Sequence, residues 1–386
     1  MQSTARIGSE SPSSASQPIR VMVVDDSAIV RGLVTRWLGE AADIEVVSTQ
    51  RNGQKALDAL AAADPEVIIL DIEMPEMDGM TALPQILRQK PNVAVIMAST
   101  LTRRNAEISL KALSLGARDY LPKPEAQHGM VTADDFRRDL LDKVRALAPR
   151  RRTAPASSPA AAPRAATPSR AATSKPDTAL PSGPISLRNP SSVRPRALLI
   201  GSSTGGPPAL TAVLEALGKT TISVPILITQ HMPPTFTGIL AEHLARASGL
   251  PAAEGKHGEP ITAGRIYVAP GGHHMVVEGG AIPSIRIDDS PPVNYCKPAV
   301  DPLFDSGAQV YGAATLALVL TGMGHDGAEG GRAVAAAGGT VVAQDEASSV
   351  VWGMPGATAR TGVCSAVLPL DRIPGQIANY LKGIKA

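Results

Sequence analysis

Short runs of Val, Ile and Leu recur along this chain, each followed by a stretch whose apolar residues return every three or four positions. Val21–Val24, Ile44–Val47, Val67–Leu70 and Val93–Met97 are almost wholly apolar. That is how parallel strands covered on both faces read, whereas half-exposed strands alternate. Between the first two runs, Ile29, Val30, Leu33, Val34, Trp37 and Leu38 fall on one helical face, as in a helix laid against a sheet. A fifth short strand at Ala117–Leu121 and a helix at Ala133–Leu147 complete five strand–helix repeats. The pattern predicts a (βα)5 unit over residues 19–147. From Arg196 the alternation resumes, with apolar runs at Ala197–Ile200, Pro225–Ile228 and Thr315–Leu320. It predicts a second α/β domain over residues 196–386, doubly wound and mainly parallel.

The two patterned regions are separated by a segment of another kind. Pro149–Pro195 holds ten prolines, no aromatic residue, and eight basic residues against one acid. Such a stretch cannot bury a core, so residues 148–195 read as a mobile linker and Arg150-Arg151-Arg152 as its solvated start. Residues 1–18 are polar and serine-rich, read as a disordered tail without the apolar centre of a secretion signal. No run approaches the roughly 20 apolar residues of a membrane span, so the expectation is a cytoplasmic protein with no membrane insertion. With 386 residues there is chain enough for two cores. A net charge of +2 and only 3% aromatic residues give little basis for binding nucleic acid by charge or by stacking. Cys296 and Cys364 are too few for a disulfide framework and read as reduced thiols.

The polar residues at the strand ends supply the candidate chemistry. In the first region Asp25 and Asp26 end one strand and Asp71 another, while Ser99 and Lys123 follow two more. Strand ends converge on one edge of a doubly wound sheet. Three carboxylates gathered there suit Mg²⁺, which prefers oxygen ligands. A lysine and a hydroxyl beside them suit a phosphoryl group. In the second region Gly201-Ser-Ser-Thr-Gly205 fits G-x-S-x-G, with Ser203 on a tight strand-to-helix turn. The helix beginning near Gly206 would aim backbone N–H groups at that turn. His231, after the next apolar run, would serve as the base, and Asp326 would orient the imidazole. The chain order Ser, His, Asp differs from the Ser, acid, His of α/β-hydrolases.

Two further readings stay open at this level. Gly322-Met-Gly324-His-Asp-Gly327 also satisfies G-x-G-x-x-G, with Asp345 18 residues beyond it, which resembles a dinucleotide fingerprint. A DNA-binding output would be a transcriptional alternative, although no helix-turn-helix pattern is visible. His273 and His274 read as lining or surface residues, since no second ligand pair stands at zinc-like spacing. His325 is tied to the loop of Asp326 and is a poorer base than His231.

The motifs together carry a family resemblance. Val23-Val-Asp-Asp-Ser27, Leu70-Asp-Ile-Glu-Met-Pro-Glu-Met-Asp-Gly79, Ser99 and Tyr120-Leu-Pro-Lys-Pro124 resemble a response-regulator receiver domain. The resemblance implies that Asp71 accepts a phosphoryl group from a histidine kinase, that Asp25, Asp26 and Asp71 hold Mg²⁺, and that Ser99 and Lys123 contact the phosphoryl oxygens. Tyr120 matches the aromatic switch position. Residues 196–383 resemble the catalytic domain of the chemotaxis protein-glutamate methylesterase (CheB) family. The matching stretches are Ile200-Gly-Ser-Ser-Thr-Gly-Gly206, Thr229-Gln-His-Met-Pro-Pro-Thr-Phe-Thr237, Ile266-Tyr-Val-Ala-Pro-Gly271, Leu320-Thr-Gly-Met-Gly-His-Asp-Gly327 and Ala343-Gln-Asp-Glu-Ala-Ser348.

That likeness implies phosphorylation-activated hydrolysis of glutamate γ-methyl esters on methylated chemoreceptors, releasing methanol, with glutamine deamidation open to the same machinery. It implies Ser203, His231 and Asp326 as the triad, Thr204 as support for the histidine and Met323 as an oxyanion-hole donor. No cofactor is expected in the catalytic domain, and the protein is expected to act as a monomer whose unphosphorylated receiver covers the active site. Ser202 stands where the family usually has alanine, and Asn294-Tyr-Cys-Lys-Pro298 varies between a family asparagine and proline.

Overall fold

A computed structural model describes residues 17–123, 133–149, 185–220 and 222–384. Most of the expected tail (1–18) and linker (148–195), including Arg150-Arg151-Arg152, lies outside these residues, as does Pro124. The N-terminal elements are β1 (Ile19–Val24), α1 (Ala28–Gly39), β2 (Ile44–Gln50), α2 (Gly53–Ala63), β3 (Val67–Asp71), α3 (Gly79–Gln89), β4 (Ala94–Ser99), α4 (Arg103–Ser114), β5 (Asp119–Pro122) and α5 (Ala133–Leu147). Their five strands form one sheet in the order β2-β1-β3-β4-β5. β1 pairs in parallel with both β2 and β3, and β3 with β4. Every residue of β3 and β4 is buried, as expected of central strands covered on both faces.

Side chains of α1 and α5 close one face of this sheet. Val34, Trp37, Leu38, Phe136, Leu140 and Val144 pack on Val21, Val23, Ile69 and Ile96, with the Trp37 and Phe136 rings 5.7 Å apart. One residue of the expected helical face departs from it. Ile29 is 83% exposed, because the first turn of α1 begins past the end of β1, where no strand lies beneath it.

The C-terminal elements are β6 (Ala197–Ser202), α6 (Gly206–Gly218), β7 (Ile226–Gln230), α7 (Phe236–Ser248), β8 (Ala252–Glu254), β9 (Ile266–Val268), β10 (His274–Glu278), β11 (Ser284–Asp288), α8 (Val300–Tyr311), β12 (Thr315–Val319), α9 (Ala328–Ala336), β13 (Thr340–Gln344), α10 (Met354–Arg360), β14 (Ala366–Leu368) and α11 (Ile373–Lys382). Seven strands form a sheet in the order β14-β13-β12-β6-β7-β9-β8, parallel at every pairing. β10 and β11 form a separate antiparallel hairpin. Leu199, Leu227, Tyr267, Phe304 and Met354 lie in the core of this region. The chain starts its sheet at the centre, builds outwards through β7, and returns to the other side of β6 at β12. The β6 edge, flanked by β7 and β12, is therefore the topological switch point, where open α/β sheets form a crevice.

By compactness the chain divides into two units. One comprises the described parts of Met1–Ser99 and Leu121–Ala148, the other Thr100–Tyr120 and the described parts of Pro149–Ala386.

Candidate active site and phosphoacceptor pocket

The first unit holds the carboxylate cluster. Ligand oxygens of Asp25, Asp26 and Asp71 lie within 4.8 Å of one another. Asp25 and Asp71 are buried and Asp26 is exposed. The Lys123 ammonium lies 2.7 Å from both Asp25 Oδ2 and Asp71 Oδ1. Burial pushes the Asp71 carboxyl up to about 6, and Lys123 only partly opposes that rise. Lys123 itself is penalised by burial, yet the two carboxylates outweigh the penalty and raise its pKa. Ser99 is buried at the end of β4, and its carbonyl accepts the Lys123 N–H at 2.7 Å. α3 is drawn tightly against this edge: a Cβ on Gly79 would lie 2.1 Å from the Asp71 carbonyl oxygen. Only glycine fits there. The cluster offers oxygen ligands only and one cation already spanning two of them, which fits Mg²⁺ with a phosphoryl group beside it.

In the second unit, β12, β6 and β7 are neighbours, and each ends one residue or a short loop before an expected site residue. The register continues past the regular strands: Ser203 N–H donates to the Thr321 carbonyl at 3.0 Å and His231 N–H to the Ser202 carbonyl at 3.1 Å. His231 Nε2 and Asp326 Oδ2 are 2.7 Å apart. Asp326 is 1% exposed, and its oxygens are fully engaged. Oδ2 also accepts from Val300 N–H at 2.6 Å. Oδ1 accepts from the N–H groups of Asp301 and Gly327 and from Asn294 Nδ2, at 3.1, 3.0 and 3.2 Å. Val300 and Asp301 open α8, so the carboxylate sits at a helix N-terminus. Burial alone would raise the Asp326 pKa, but the imidazole and these N–H donors carry it down to about 2.

Because a charged carboxylate faces Nε2, that nitrogen carries a proton, and Nδ1 is the nitrogen left to exchange one with any other group. Nδ1 lies 3.3 Å from Cys296 Sγ. Among the described residues no hydrogen bond joins Ser203 Oγ to His231, and the histidine meets its acid more closely than its expected nucleophile. Loose nucleophile–base contacts are common before substrate binds.

Three comparisons bear on this arrangement. A family model described as CheB methylesterase matches residues 198–377, and one described as response regulator receiver domain matches residues 21–133. A protein-glutamate methylesterase/protein-glutamine glutaminase of group 2 operon from Bradyrhizobium diazoefficiens is 54% identical over 376 residues, 95% of each chain. The protein-glutamate methylesterase/protein-glutamine glutaminase 1 of Rhodospirillum rubrum is 54% identical over 365 residues, 93% of this chain and 94% of the relative. The chain belongs to the CheB methylesterase family. Among solved structures, the Thermotoga maritima CheB methylesterase catalytic domain is similar at 39% identity, with a TM-score of 0.46, over 48% of this chain and 98% of that one.

In this CheB-family chain the remaining expected residues are distributed as follows. Met323 lies in the loop after β12, and its N–H has no protein partner among the described residues. That loop touches the elbow, since a Cβ on Gly322 would lie 2.9 Å from Ser203 Cβ. The start of α6 offers fewer donors than expected. Gly206 N–H is taken by the Ser203 carbonyl at 2.7 Å, and Pro207 and Pro208 have no N–H. Among the described residues no hydrogen bond joins Thr204 to His231; its hydroxyl donates to Asp119 Oδ2 at 2.7 Å, within the second unit. Tyr120 is buried, its ring stacked on Phe236 with centroids 4.7 Å apart. His325 is exposed, and His273 pairs with Asp289 at 3.2 Å. His274 is fully buried, and its Nδ1 accepts the Ala299 N–H at the cap of α8. The dinucleotide reading of Gly322–Gly327 is set aside, because Asp326 turns inward to the imidazole.

Four supporting residues escaped sequence reasoning. Asp301 accepts the N–H groups of Gly327 and Gly330 at 2.9 and 2.7 Å and shapes the Asp326 loop. Burial and the neighbouring Asp326 charge raise its pKa. Asn294 bridges Asp301 and Asp326. Gln230 Nε2 donates to the Ser203 carbonyl at 3.0 Å while its Oε1 accepts from Ser202 Oγ at 2.7 Å. The family-atypical Ser202 thus props the residue that holds the elbow. Cys296, read as an uninvolved thiol, faces His231. Only the Asn294-Tyr-Cys-Lys-Pro298 departure hinted at the last.

Proposed function

We propose that this chain is a phosphorylation-controlled protein-glutamate methylesterase, with protein-glutamine glutaminase activity at the same site, acting on methylated chemoreceptors and receiving its phosphoryl group from a histidine kinase. Residues 19–147 are the receiver and 196–386 the esterase, joined by 148–195. The observation that carries the reading is the meeting of Asp326 and His231 at 2.7 Å beside Ser203, on three neighbouring strand ends. Ser203 Oγ attacks the γ-carbonyl of the substrate glutamate ester while Nδ1 of His231 takes its proton. Asp326 stabilises the imidazolium so formed. The N–H of Met323, with those of Thr204 and Gly205 beside the elbow, faces the developing oxyanion. The imidazolium returns its proton to the departing methoxide, releasing methanol. Water then attacks the acyl-enzyme with the same base, freeing the glutamate side chain. A primary amide in place of the ester would release ammonia.

Asp71 is the phosphoacceptor. Asp25, Asp26 and Asp71 would hold Mg²⁺, which when bound neutralises the charge gathering on the phosphoryl oxygens. Lys123 and Ser99 contact those oxygens. Tyr120 is the switch residue, and the Asp119–Thr204 hydrogen bond restrains the elbow until phosphorylation relieves it. Methanol release from methyl-labelled chemoreceptor membranes tests the whole reading. Release is expected to rise with a small phosphodonor and Mg²⁺ and to vanish in Ser203→Ala. Release that persists in Ser203→Ala would remove the serine from the mechanism, and stimulation that persists in Asp71→Asn would move the switch elsewhere.

A further inference from the structure

The contact between Cys296 and the histidine is built by a tight turn. Val293 and Cys296 exchange backbone hydrogen bonds of 3.1 and 2.8 Å. The two residues between them, Asn294 and Tyr295, have φ of 51° and 62°. Two successive left-handed residues are what a type I′ turn requires. Asparagine tolerates that conformation, but tyrosine adopts it at a cost. Tyr295 is 83% exposed. What the turn does is aim its flanking side chains inward. Asn294 reaches the Asp326 carboxylate, and Cys296 reaches His231. Lys297, just after the turn, is held by Asp289. One four-residue turn thereby touches both members of the acid–base pair.

The tautomer makes this contact matter. With Nε2–H committed to Asp326, Nδ1 is the one nitrogen able to accept the Ser203 proton, and its observed partner is the Cys296 thiol. We propose that Cys296 is a positioning residue of the esterase: its thiol cedes the proton of the Sγ–Nδ1 contact to the imidazole, which masks the base, and takes that proton back as the serine displaces it, leaving Nδ1 free to accept the Ser203 proton. The inference rests on the reading of Ser203, His231 and Asp326 as the triad. The surroundings of the imidazole agree with it. Burial lowers the His231 pKa, but charge and hydrogen bonding from Cys296 and Asp326 reverse that and raise it to about 10. Among the described residues, the charged or titratable groups acting on the ring are Cys296 from the turn and Asp326 from the loop before α9. A thiol–imidazole pair can hold this proton, whereas a serine hydroxyl in the same place cannot, because it does not ionise in this range.

The experiment measures pH–rate profiles of methanol release for the full, phosphodonor-activated chain as wild type, Cys296→Ser, Cys296→Ala and Ser203→Ala. Cys296→Ser keeps the volume and the hydrogen-bonding capacity and removes only the ionisable group. In wild type the acid limb is expected above the ordinary imidazole value of about 6.5. In both cysteine variants it is expected to fall by about one unit or more, raising turnover at pH 7, relative to each variant's own plateau, by about tenfold. A limb unchanged from wild type in Cys296→Ser overturns the proposal, and Cys296→Ser serves for this even if Cys296→Ala fails to fold. If Ser203→Ala remains active, the triad reading falls and takes the proposal with it. If Ser203→Ala is inactive and both limbs coincide with wild type, the triad stands and only the role of Cys296 falls.

Discussion

Asp71 and Asp326 are both carboxylates buried at the carboxyl edge of a parallel sheet, yet their environments drive them in opposite directions. Asp71 is pushed up to about 6 and Asp326 down to about 2. The difference lies in how many donors each meets. Asp326 receives three backbone N–H groups, the Asn294 amide and the imidazole, so its charge is compensated permanently. Asp71 has Lys123, shared with Asp25, and a backbone hydrogen bond at Ile72, with two other carboxylates beside it. In the proposed mechanism the carboxylate that stays an anion beside the base is the one saturated with donors, and the one that would take a cation and a phosphoryl group is left with unmet demand.

The largest effect that sharpens this contrast is Ser203→Ala. Turnover is expected to fall by about four to six orders of magnitude, as when triad members act as a unit, measured as methanol release at saturating substrate. Gly322→Ala should come next. Its Cβ would meet Met354 Sδ at 2.4 Å and the elbow at 2.9 Å, and displacing the nucleophile by even about 1 Å costs on the order of 100-fold in rate. Wild-type turnover in that variant would show that the elbow is not held by the β12 loop.

The receiver arm concerns the switch. Asp71→Asn should abolish stimulation by a small phosphodonor. In wild type, the Asp71 charge is lost as pH falls through about 6, so Mg²⁺ affinity measured by calorimetry should weaken over that window. Affinity flat from pH 7 to pH 5 would place the cation on other ligands.

The smallest effect is the most direct test of the comparison, because the two carboxylates should change stability with opposite sign. Asp326 has a lowered pKa, so its contribution is present above the unfolded value near 3.8 and is lost as pH falls towards about 2. A shift of this size amounts to about 2 kcal/mol, and Asp326→Asn should destabilise the chain at pH 7. Asp71 has a raised pKa, so its charge opposes folding as pH rises from 3.8 through about 6 and at all higher pH. Without Mg²⁺, Asp71→Asn should stabilise the receiver by about 1–3 kcal/mol at pH 7. Urea unfolding of both variants checks the signs, and equal signs would break the contrast.

Much of this molecule was legible in its sequence for a definite reason. A strand buried on both faces must be apolar throughout, so the polar residue that ends it stands out. Asp25, Asp71 and Ser99 could be read at strand ends, with His231 just after β7, before any partner was known. Sequence reasoning missed what depends on lateral neighbours. The order β12-β6-β7 brings together chain segments about 30 and 95 residues apart, and no local period encodes that adjacency. It missed the two prolines that strip donors from α6, although both stood in the sequence, because a helix start was taken to supply N–H groups by default.

By itself, the sequence determined the two α/β regions, the segment that separates them, and which residue types stand at the sheet edges, since burial period and turn chemistry are local properties. Tertiary structure alone decided which of those residues meet. It placed Asn294, Asp301 and the N-terminus of α8 around Asp326, and put a thiol rather than the serine against His231. Charge state follows from the sum of burial and donors around an atom, and those donors come from chain segments that only folding makes neighbours.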